Sequence, residues 1–209
     1  MMNEKGFNLW ADGYDLSVKL SEERNEYPFA GYKDVLNHIY YIIKKRKTAK
    51  VLDIGFGTGV LTKKLYDEGY TIHGMDFSKA MINIARQIMP KASLIEWDFT
   101  NGLAYSFVNE KYDFIISSYA IHHLTDLQKV DFINNLKRNL NPGGAILIGD
   151  VSFLNDSELN KCKNENIKYW DNDEIYISYD NIKNKLNYII KSYKQASVCA
   201  GILMLSDSI

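Results

Sequence analysis

The segment from Val51 to Gly59 constrains the fold more than any other part of the sequence. It reads V-L-D-I-G-F-G-T-G, a stretch typical of a buried strand that runs into three glycines at alternate positions, and a helical pattern begins at Val60. Glycines there let the backbone bend sharply and let a ligand lie against bare peptide. The free N–H groups of the following helix favour a negatively charged group. The segment therefore predicts a nucleotide-like ligand at the end of the first strand.

Strand, turn and helix patterns alternate on both sides of this segment. Short connections between alternating strands and helices predict a doubly wound α/β fold, with parallel strands and helices on both faces of the sheet. Thr125 and Gln128 predict a capping box at the start of one helix. The predicted strands are 51–54, 71–75, 93–97, 112–117 and 145–151, and the predicted helices are 29–47, 60–68, 78–89 and 126–140, with a turn at 141–144.

The last third of the chain is less regular. Residues 157–170 and 178–186 have helical patterns, whereas 188–195 and 200–205 have strand patterns and predict an antiparallel hairpin at the sheet edge. No repeat or low-complexity linker interrupts the chain, so we expect one domain over residues 1–209. Its expected parts are a lid at 1–30, a cofactor-binding core at 48–151, a cap at 152–187 and the hairpin at 188–209.

Composition narrows the functional classes. The net charge is −1, which gives no reason to expect a nucleic acid as partner, and the basic run Lys44–Lys47 is more simply interpreted as a solvated helix end. The two cysteines, Cys162 and Cys199, lack the spacing of metal ligands, so no metal is expected. The sequence contains neither a signal-peptide pattern nor an apolar run of about 18 residues. We therefore expect a cytoplasmic protein, monomeric or homodimeric, without membrane contact.

Polar residues collect where the predicted strands end. In a parallel α/β sheet, ligands bind beyond the carboxyl ends of the strands, at the point where the strand order reverses. Agreement among several strand ends predicts a binding site better than any one motif does. The residues at this edge are 55–59, Asp76, Asp98, Phe99, 117–123 and Asp150.

Three acids at this edge suit a nucleoside ligand. Asp76 follows the second strand, where a carboxylate can accept hydrogen bonds from both ribose hydroxyls; it could instead complement the dipole of the helix after Ser78. Asp98 could accept from an adenine amino group while Phe99 packs on the ring, although the pair could also be a surface turn. Asp53 lies in an apolar strand and needs a partner, such as an ammonium group or a backbone N–H.

Two adjacent histidines, His122 and His123, are the candidates for proton chemistry, because an imidazole titrates near neutral pH. Adjacent residues of a helical segment point about 100° apart, so we expect only one of them to face the ligand. The sequence does not choose between them. His38 and His73 lie in helix and strand patterns and are interpreted as structural.

Taken together, these motifs resemble the class I S-adenosylmethionine-dependent methyltransferases, in particular small bacterial YrrT-like members. The resemblance covers residues 51–151 and includes the glycine turn, the acid at 76, W-D-F at 97–99, Y-D-F-I-I-S at 112–117, H-H-L at 122–124 and L-N-P-G-G at 140–144; W-A-D-G-Y-D at 10–15 resembles the lid of those members. It implies a Rossmann-like sheet of seven strands, mostly parallel, with strand seven antiparallel.

The resemblance also implies roles for individual residues. The cofactor would be S-adenosylmethionine, with S-adenosylhomocysteine as product, and His122 and His123 would lie near the transferred methyl group. Tyr14 would close over the site, and Ser117 would lie near the methionine end. The methionine part would contact Gly55, Gly57 and Thr58, its amino group Asp53, the ribose Asp76, and the adenine Asp98, Phe99, Phe77 and Met81.

The acceptor is expected to be a small molecule. The residues after strand four lack the [D/N/S]-P-P-[Y/F/W] run of exocyclic-amine methylases, and no cysteine follows that strand. Tyr14, Trp170 and the tyrosines at 169, 176 and 179 would enclose the acceptor. Two alternatives remain open: a nicotinamide-dependent oxidoreductase, which shares the strand, glycine turn and helix, and a non-catalytic cofactor-binding sensor or partner subunit. The G-x-G-x-G spacing and the preceding Asp53 argue against the oxidoreductase, whose turn is more often G-x-G-x-x-G.

Overall fold

The computed structural model describes residues 26–207, whose strands form one eight-stranded sheet. Seven strands lie in the order β3-β2-β1-β4-β5-β8-β7, and the short β6 pairs with β5. Only β8 runs antiparallel to its neighbours β5 and β7, which confirms the predicted mostly parallel sheet with an antiparallel last strand. The strands are β1 Lys50–Ile54, β2 Thr71–Asp76, β3 Ser93–Glu96, β4 Tyr112–Ser118, β5 Leu140–Phe153, β6 Ile177–Ser178, β7 Ile190–Gln195 and β8 Ala200–Ser206.

Helices cover both faces of the sheet. Their bounds are α1 Tyr32–Ile43, α2 Val60–Asp67, α3 Lys79–Ile88, α4 Asp126–Leu136, α5 Asp156–Glu165 and α6 Tyr179–Ile182, with 3₁₀ turns at Phe99–Asn101, Ile121–His123, Lys137–Asn139 and Lys183–Lys185. Within the described residues, each helix is too short or too polar to cross a lipid bilayer.

Alternation along the strands separates the core into two layers. Phe114 and Ile116 of β4 pack with residues of α1 and α2, whereas Ile115, between them, packs with α4. Successive side chains of a strand point to opposite faces, and here both faces are apolar, as expected for parallel strands covered on both sides. The sheet is therefore buried along its centre and reaches solvent at its carboxyl edge.

Several predicted boundaries were wrong. The expected turn at 141–144 lies inside β5, where the pairing with β4 shifts register and Gly143 has a φ of 74°. The expected helix 126–140 becomes a 3₁₀ turn after Leu136, because Leu140 already pairs with β4. The helices expected at 29–47, 157–170 and 178–186 are shorter, at Tyr32–Ile43, Asp156–Glu165 and Tyr179–Ile182.

Local caps explain where some helices begin and end. Ser78 accepts a hydrogen bond from the Met81 N–H at the start of α3, as its position predicted. α5 ends at Glu165, and its C-cap residue Asn166 donates from both its backbone N–H and its side chain to the Cys162 carbonyl. The terminal strands β7 and β8 pair as the expected antiparallel hairpin. The division into lid, core and cap stays a prediction, and most of the lid lies outside the described residues.

The capping box of α4 fixes the helix that directly follows the two histidines. The Thr125 hydroxyl accepts from the Gln128 N–H, and the Gln128 side chain accepts from the Thr125 N–H. Replacing Thr125 with alanine should lower the free energy of unfolding by about 1 kcal/mol, because one helix N–H loses its acceptor. Chemical denaturation measures this, and Thr125→Ser, which keeps the hydroxyl, is the matched control. Equal stabilities of the two variants would contradict the capping role.

Candidate functional site

A cavity of about 690 Å³ opens at the carboxyl ends of β1, β2, β4 and β5. This edge includes the point between β1 and β4 at which the strand order reverses, which is where ligands bind in open α/β sheets. Most of the site residues predicted from the sequence line it. These are Asp53, Gly55, Gly57, Thr58, Asp76, Phe77, Met81, Phe99, His122 and His123.

The glycine turn after β1 forms one wall of the cavity. Gly55 has a φ of 69°, and a Cβ there would lie 2.4 Å from the Cβ of Ala120. Gly57 has a φ of 56°, but a Cβ there would meet nothing within 4 Å. Gly55 is therefore required for packing and conformation, whereas Gly57 is required for conformation and leaves open space beside the backbone.

Asp76 holds the glycine turn to the end of β2. Its two carboxylate oxygens accept from the Gly57 N–H and the Ser78 N–H, each at 2.8 Å. Burial raises the pKa of Asp76 to about 6, against the lowering effect of these backbone donors. Each oxygen of a carboxylate accepts more than one hydrogen bond, so Asp76 can support the turn and still accept from a ligand hydroxyl.

Asp53 is a buried acid with an unfilled acceptor. One carboxylate oxygen, Oδ2, accepts from the Thr62 hydroxyl, whereas Oδ1 has no hydrogen-bond partner among the described residues. Burial raises the pKa of Asp53 to about 7; Thr62 opposes this shift and the nearby Asp76 adds to it. Because a buried oxygen without a partner is unfavourable, this arrangement fits a ligand that brings a donor, above all a cationic one.

Three of the predicted cofactor residues do not line the cavity in the described structure. Asp98 is exposed and accepts from the Thr100 N–H at 2.8 Å, which leaves Phe99 alone on the cavity wall. The Ser117 hydroxyl is buried and donates to the Ile54 carbonyl at 3.0 Å, and its neighbour Ser118 lines the cavity instead. Tyr14 lies outside the described residues. The roles of all three stay predictions.

His122 is held from two sides. Its Nδ1 lies 2.7 Å from Oδ1 of Asp150, at the end of β5, and its backbone N–H donates to Oδ2 of the same residue at 3.3 Å. Its Nε2 lies 3.4 Å from Oε1 of Glu174. Burial alone would lower the pKa of His122, but the charge of Asp150, the hydrogen bond to it and the charge of Glu174 together raise it. His122 is therefore stabilised in its protonated form.

His123 is affected in the opposite direction. Burial, followed by the neighbouring His122, lowers the pKa of His123 to about 4. The two rings contact each other with centroids 4.3 Å apart and both line the cavity. Their environments separate the titration of two adjacent histidines, so at neutral pH His123 is the uncharged imidazole.

The segment before β6 supplies residues that the sequence prediction missed. The Ile175 N–H donates to the His122 carbonyl at 2.9 Å and brings Glu174 to the cavity beside the histidines. The only signal in the sequence was the polar, tyrosine-rich character of the expected cap. Of the aromatic residues expected to enclose an acceptor, Tyr169 lines the cavity, Trp170 and Tyr176 pack on Tyr27 just behind it, and Tyr179 stacks on Tyr193 elsewhere.

One group of side chains could hold a metal ion. His122, His123 and Glu174 each offer a ligand atom, and these atoms lie within 4.8 Å of one another. Two of these atoms, Nε2 of His122 and Oε1 of Glu174, already face each other at 3.4 Å. The expectation of no metal stays a prediction.

Comparison with known proteins gives the family. The family model of a methyltransferase domain matches residues 51–144. An uncharacterized methyltransferase of Anoxybacillus flavithermus is 36% identical over 149 residues, 71% of this chain and 67% of the relative. One of Bacillus mycoides is 36% identical over 156 residues, 74% of this chain and 70% of the relative. The chain therefore belongs to the class I S-adenosylmethionine-dependent methyltransferases, as its motifs predicted, and not to the nicotinamide-dependent oxidoreductases.

A solved structure agrees with the observed fold. The magnesium protoporphyrin IX methyltransferase from Synechocystis PCC 6803, crystallised with bound SAH (S-adenosylhomocysteine), matches with a TM-score of 0.67. The alignment covers 86% of this chain and 85% of that one at 16% sequence identity. At this identity the likeness concerns the fold alone.

The unfilled acceptor of Asp53 leads to a prediction that separates binding from stability. Asp53→Asn should weaken the binding of S-adenosylhomocysteine by about 10- to 100-fold, because hydrogen bonds to charged groups contribute about 1.5–3 kcal/mol. The Tm should not fall, since the variant no longer buries a carboxylate that burial disfavours. Isothermal titration calorimetry and thermal unfolding measure the two quantities. Asp67→Asn, which changes an exposed acid on α2, is the control. If Asp53→Asn lowers the Tm as well as the affinity, the result contradicts a role of Asp53 in ligand binding alone.

The raised pKa of Asp53 also predicts how cofactor affinity depends on pH. A ligand ammonium group binds the ionised carboxylate, and the pKa of Asp53 without ligand is about 7. The affinity for S-adenosylhomocysteine should therefore be constant near pH 8 and weaken by up to about tenfold per pH unit below 7. Asp76, with a pKa of about 6, should add to the loss at lower pH. An affinity for S-adenosylhomocysteine that stays constant between pH 8 and 6 would contradict the prediction. So would an Asp53→Asn variant whose affinity depends on pH as the wild-type affinity does.

Proposed function

We propose that this enzyme transfers a methyl group from S-adenosylmethionine to a small-molecule acceptor and releases S-adenosylhomocysteine. The observation that carries the proposal is Oδ1 of Asp53 beside the glycine turn, which has no hydrogen-bond partner within residues 26–207. A buried anionic acceptor at this position suits the amino group of the cofactor. A nucleoside that carries a carboxylate but no amino group would leave Oδ1 of Asp53 without a donor.

The remaining residues around the glycine turn fit the rest of the cofactor. The carboxylate of Asp76 would accept from the ribose hydroxyls while it keeps its backbone donors. The adenine would contact an apolar surface formed by Phe99, Phe77 and Met81. The open space beside Gly57 would admit the part of the cofactor that links its methionine and adenine ends. In this proposal Asp98 and Ser117 act at the edge of the site, and Tyr14 closes it.

Proton transfer and alignment are the tasks left to the protein. The cofactor supplies an already activated methyl group, so the protein mainly has to align an acceptor with it and exclude water. An acceptor that gives up a proton needs a base, and the neutral imidazole of His123 can take it. Asp150 and Glu174 keep His122 in place beside it, which makes His122 a positioning residue in this proposal.

The cavity itself favours a small acceptor. Its second half lies over β4 and β5 and is bounded by Tyr27, Phe29 and the segment 166–174. This enclosure suits a compact molecule better than a polymer. The absence of a basic surplus in the composition points the same way.

Incubation with labelled S-adenosylmethionine and a metabolite pool tests the proposal. We expect a labelled small product and equimolar S-adenosylhomocysteine. S-Adenosylhomocysteine, but not NAD, should raise the thermal stability, since a ligand at 100 times its Kd contributes about 2.7 kcal/mol. Stabilisation by S-adenosylhomocysteine without a labelled product from any pool would favour a non-catalytic sensor, and stabilisation by neither ligand would remove the proposal.

The proposed base leads to a mutational prediction. His123→Ala should lower kcat at saturating acceptor by about 10²-fold or more and leave the affinity for S-adenosylhomocysteine within about threefold, because general-base catalysis contributes about 10²–10⁴-fold. His38→Ala, at a partly buried histidine of α1 that does not line the cavity, is the control. Unchanged turnover in a variant that lacks both His122 and His123 would remove proton transfer by this pair from the mechanism.

A further inference from the structure

Most of the charges that line the cavity are negative, and His122, whose protonated form is stabilised, is the exception. Six acids reach its surface, whereas none of its described lining residues is a lysine or an arginine. The whole chain is nearly balanced, with 25 Lys+Arg and 26 Asp+Glu, so the imbalance belongs to the cavity and not to the composition. A concave site with charges of one sign attracts ligands of the opposite sign.

Four of these acids remain after the cofactor is placed. Asp53 and Asp76 lie at the ends of β1 and β2, beside the glycine turn. The other four come from the entry to α1 and from the segment before β6, on the side where an acceptor would lie; they are Glu26, Asp171, Asp173 and Glu174. Asp171 and Asp173 are exposed at the mouth of the cavity, whereas Glu174 is partly buried. The most enclosed negative group on the acceptor side is therefore Glu174.

Hydrogen bonds hold Glu174 in one orientation. Its Oε2 accepts from the Tyr176 hydroxyl at 2.6 Å. Since that hydroxyl has one proton, Tyr27 must donate in the hydrogen bond between the two tyrosines, and the Asp171 N–H in turn donates to the Tyr27 oxygen at 3.3 Å. Glu174 Oε1 is left towards His122 and the cavity. A carboxylate fixed in this way is a built anchor for a cation.

Aromatic rings line the same cavity or pack directly behind its wall. Tyr27 stacks on Trp170 with ring centroids 5.0 Å apart, and the ring of Tyr176 meets both edge-on. On the side of β4, the Tyr119 ring lies 5.6 Å from that of Phe29 and 5.0 Å from that of Tyr32. Aromatic faces attract cations as well as apolar groups. Carboxylates and aromatic rings together form the lining that an organic ammonium ion requires.

We propose that the methyl acceptor is a small organic amine that enters as its ammonium ion and is bound by Glu174 between these aromatic rings. This inference rests on the proposed methyl transfer and names the class of acceptor for the same cavity. Glu174 is then a substrate-binding residue, and anionic acceptors are disfavoured because the acceptor side carries four acids and no lysine or arginine among its described lining residues.

The transfer step balances with these residues. The bound ammonium nitrogen first loses one proton, and the His123 imidazole relays that proton to water because its pKa of about 4 is too low to retain it. Its lone pair then forms the new N–C bond while the methyl C–S bond breaks, and the electron pair of that bond stays on sulfur. The products are the N-methylated amine and S-adenosylhomocysteine, and the proton leaves His123 to water. No oxidant or reductant is needed.

A divalent metal is the competing occupant of the same acids. The ligand atoms of His122, His123 and Glu174 lie within 4.8 Å of one another, but both ring nitrogens of His122 already face carboxylates, those of Asp150 and Glu174. A metal would also make no use of the rings of Tyr27 and Tyr119 in the cavity wall, whereas an organic cation can contact them. The geometry therefore favours the amine, and the experiment below includes the metal as an outcome.

Matched acceptors test the class directly. The wild-type enzyme loaded with S-adenosylmethionine is given butylamine, butanol and butyrate, and then phenethylamine, phenethyl alcohol and hydrocinnamate, with methylated product measured by mass spectrometry. Binding of the same six probes to the enzyme loaded with S-adenosylhomocysteine is measured by saturation-transfer NMR. We expect an amine to be methylated, and the amine of a set to bind at least about tenfold more tightly than its alcohol or carboxylate.

The second part of the experiment replaces Glu174, the residue proposed to bind the ammonium ion. Glu174→Gln, which keeps shape and removes charge, should raise KM for the amine by about tenfold or more and remove the preference over the alcohol. Its affinity for S-adenosylhomocysteine should stay within about threefold. Glu165→Gln, an exposed acid at the end of α5, is the matched control and should change none of these values. EDTA should leave amine turnover unchanged.

Three results would overturn the amine proposal: no preference for the amine in either set, a preference that survives Glu174→Gln, or turnover that requires a divalent metal and is lost with EDTA. Each leaves the proposed function standing as long as S-adenosylhomocysteine still binds. If the wild-type protein binds neither S-adenosylhomocysteine nor S-adenosylmethionine, the proposed function itself fails, and the two failures are therefore distinguishable.

Discussion

The site depends on two buried carboxylates, Asp53 and Asp76, at the ends of adjacent parallel strands. In the part of the chain that the structure describes, no lysine or arginine forms an ion pair with either of them. Burying an unpaired charge is costly, and each acid reduces the cost in a different way. Asp76 accepts from two backbone N–H groups and thereby holds the glycine turn in place. Asp53 keeps one oxygen unpaired among the described residues, and its raised pKa reports that cost. A cationic ligand removes part of this cost when it pairs with the carboxylate, so the unfavourable burial in the free protein adds to the binding free energy.

The same physical rule operates on the other side of the sheet edge. Asp150 lies at the end of β5, nine-tenths or more buried, and it is compensated by the His122 ring and by two backbone N–H groups. The His122 ring contacts Asp150 through Nδ1 and Glu174, in the segment before β6, through Nε2. Charges of alternating sign therefore run from Asp150 through His122 to Glu174, and the last two line the cavity. Its end at Glu174 is the part that an acceptor can reach, which is why the acceptor class is argued from that residue.

The fold and the cofactor side of the site were predictable to a large extent. The glycine spacing, Asp76 after the second strand and the Thr125–Gln128 capping box depend on residues close together in sequence, where local sterics and hydrogen bonds decide the conformation. The helices at 157–170 and 178–186 were overextended, because their polar, weakly periodic sequences carry little information about where packing ends a helix. Asp98 and Ser117 were placed on the right sheet edge, but their side chains turn to the Thr100 N–H and the Ile54 carbonyl.

By itself the sequence determined the doubly wound sheet, the glycine turn and the family, because period-two apolar patterns and glycine positions are properties of short stretches of chain. It also placed His122 and His123 at the site but could not distinguish them. Only the tertiary structure did so, since the difference lies in Asp150, 28 residues away along the chain, and in Glu174, 52 residues away from His122. The burial of each histidine and the charges around it depend on residues from several strand ends and from the later segment before β6. The acidic, aromatic acceptor side was decided by tertiary structure for the same reason.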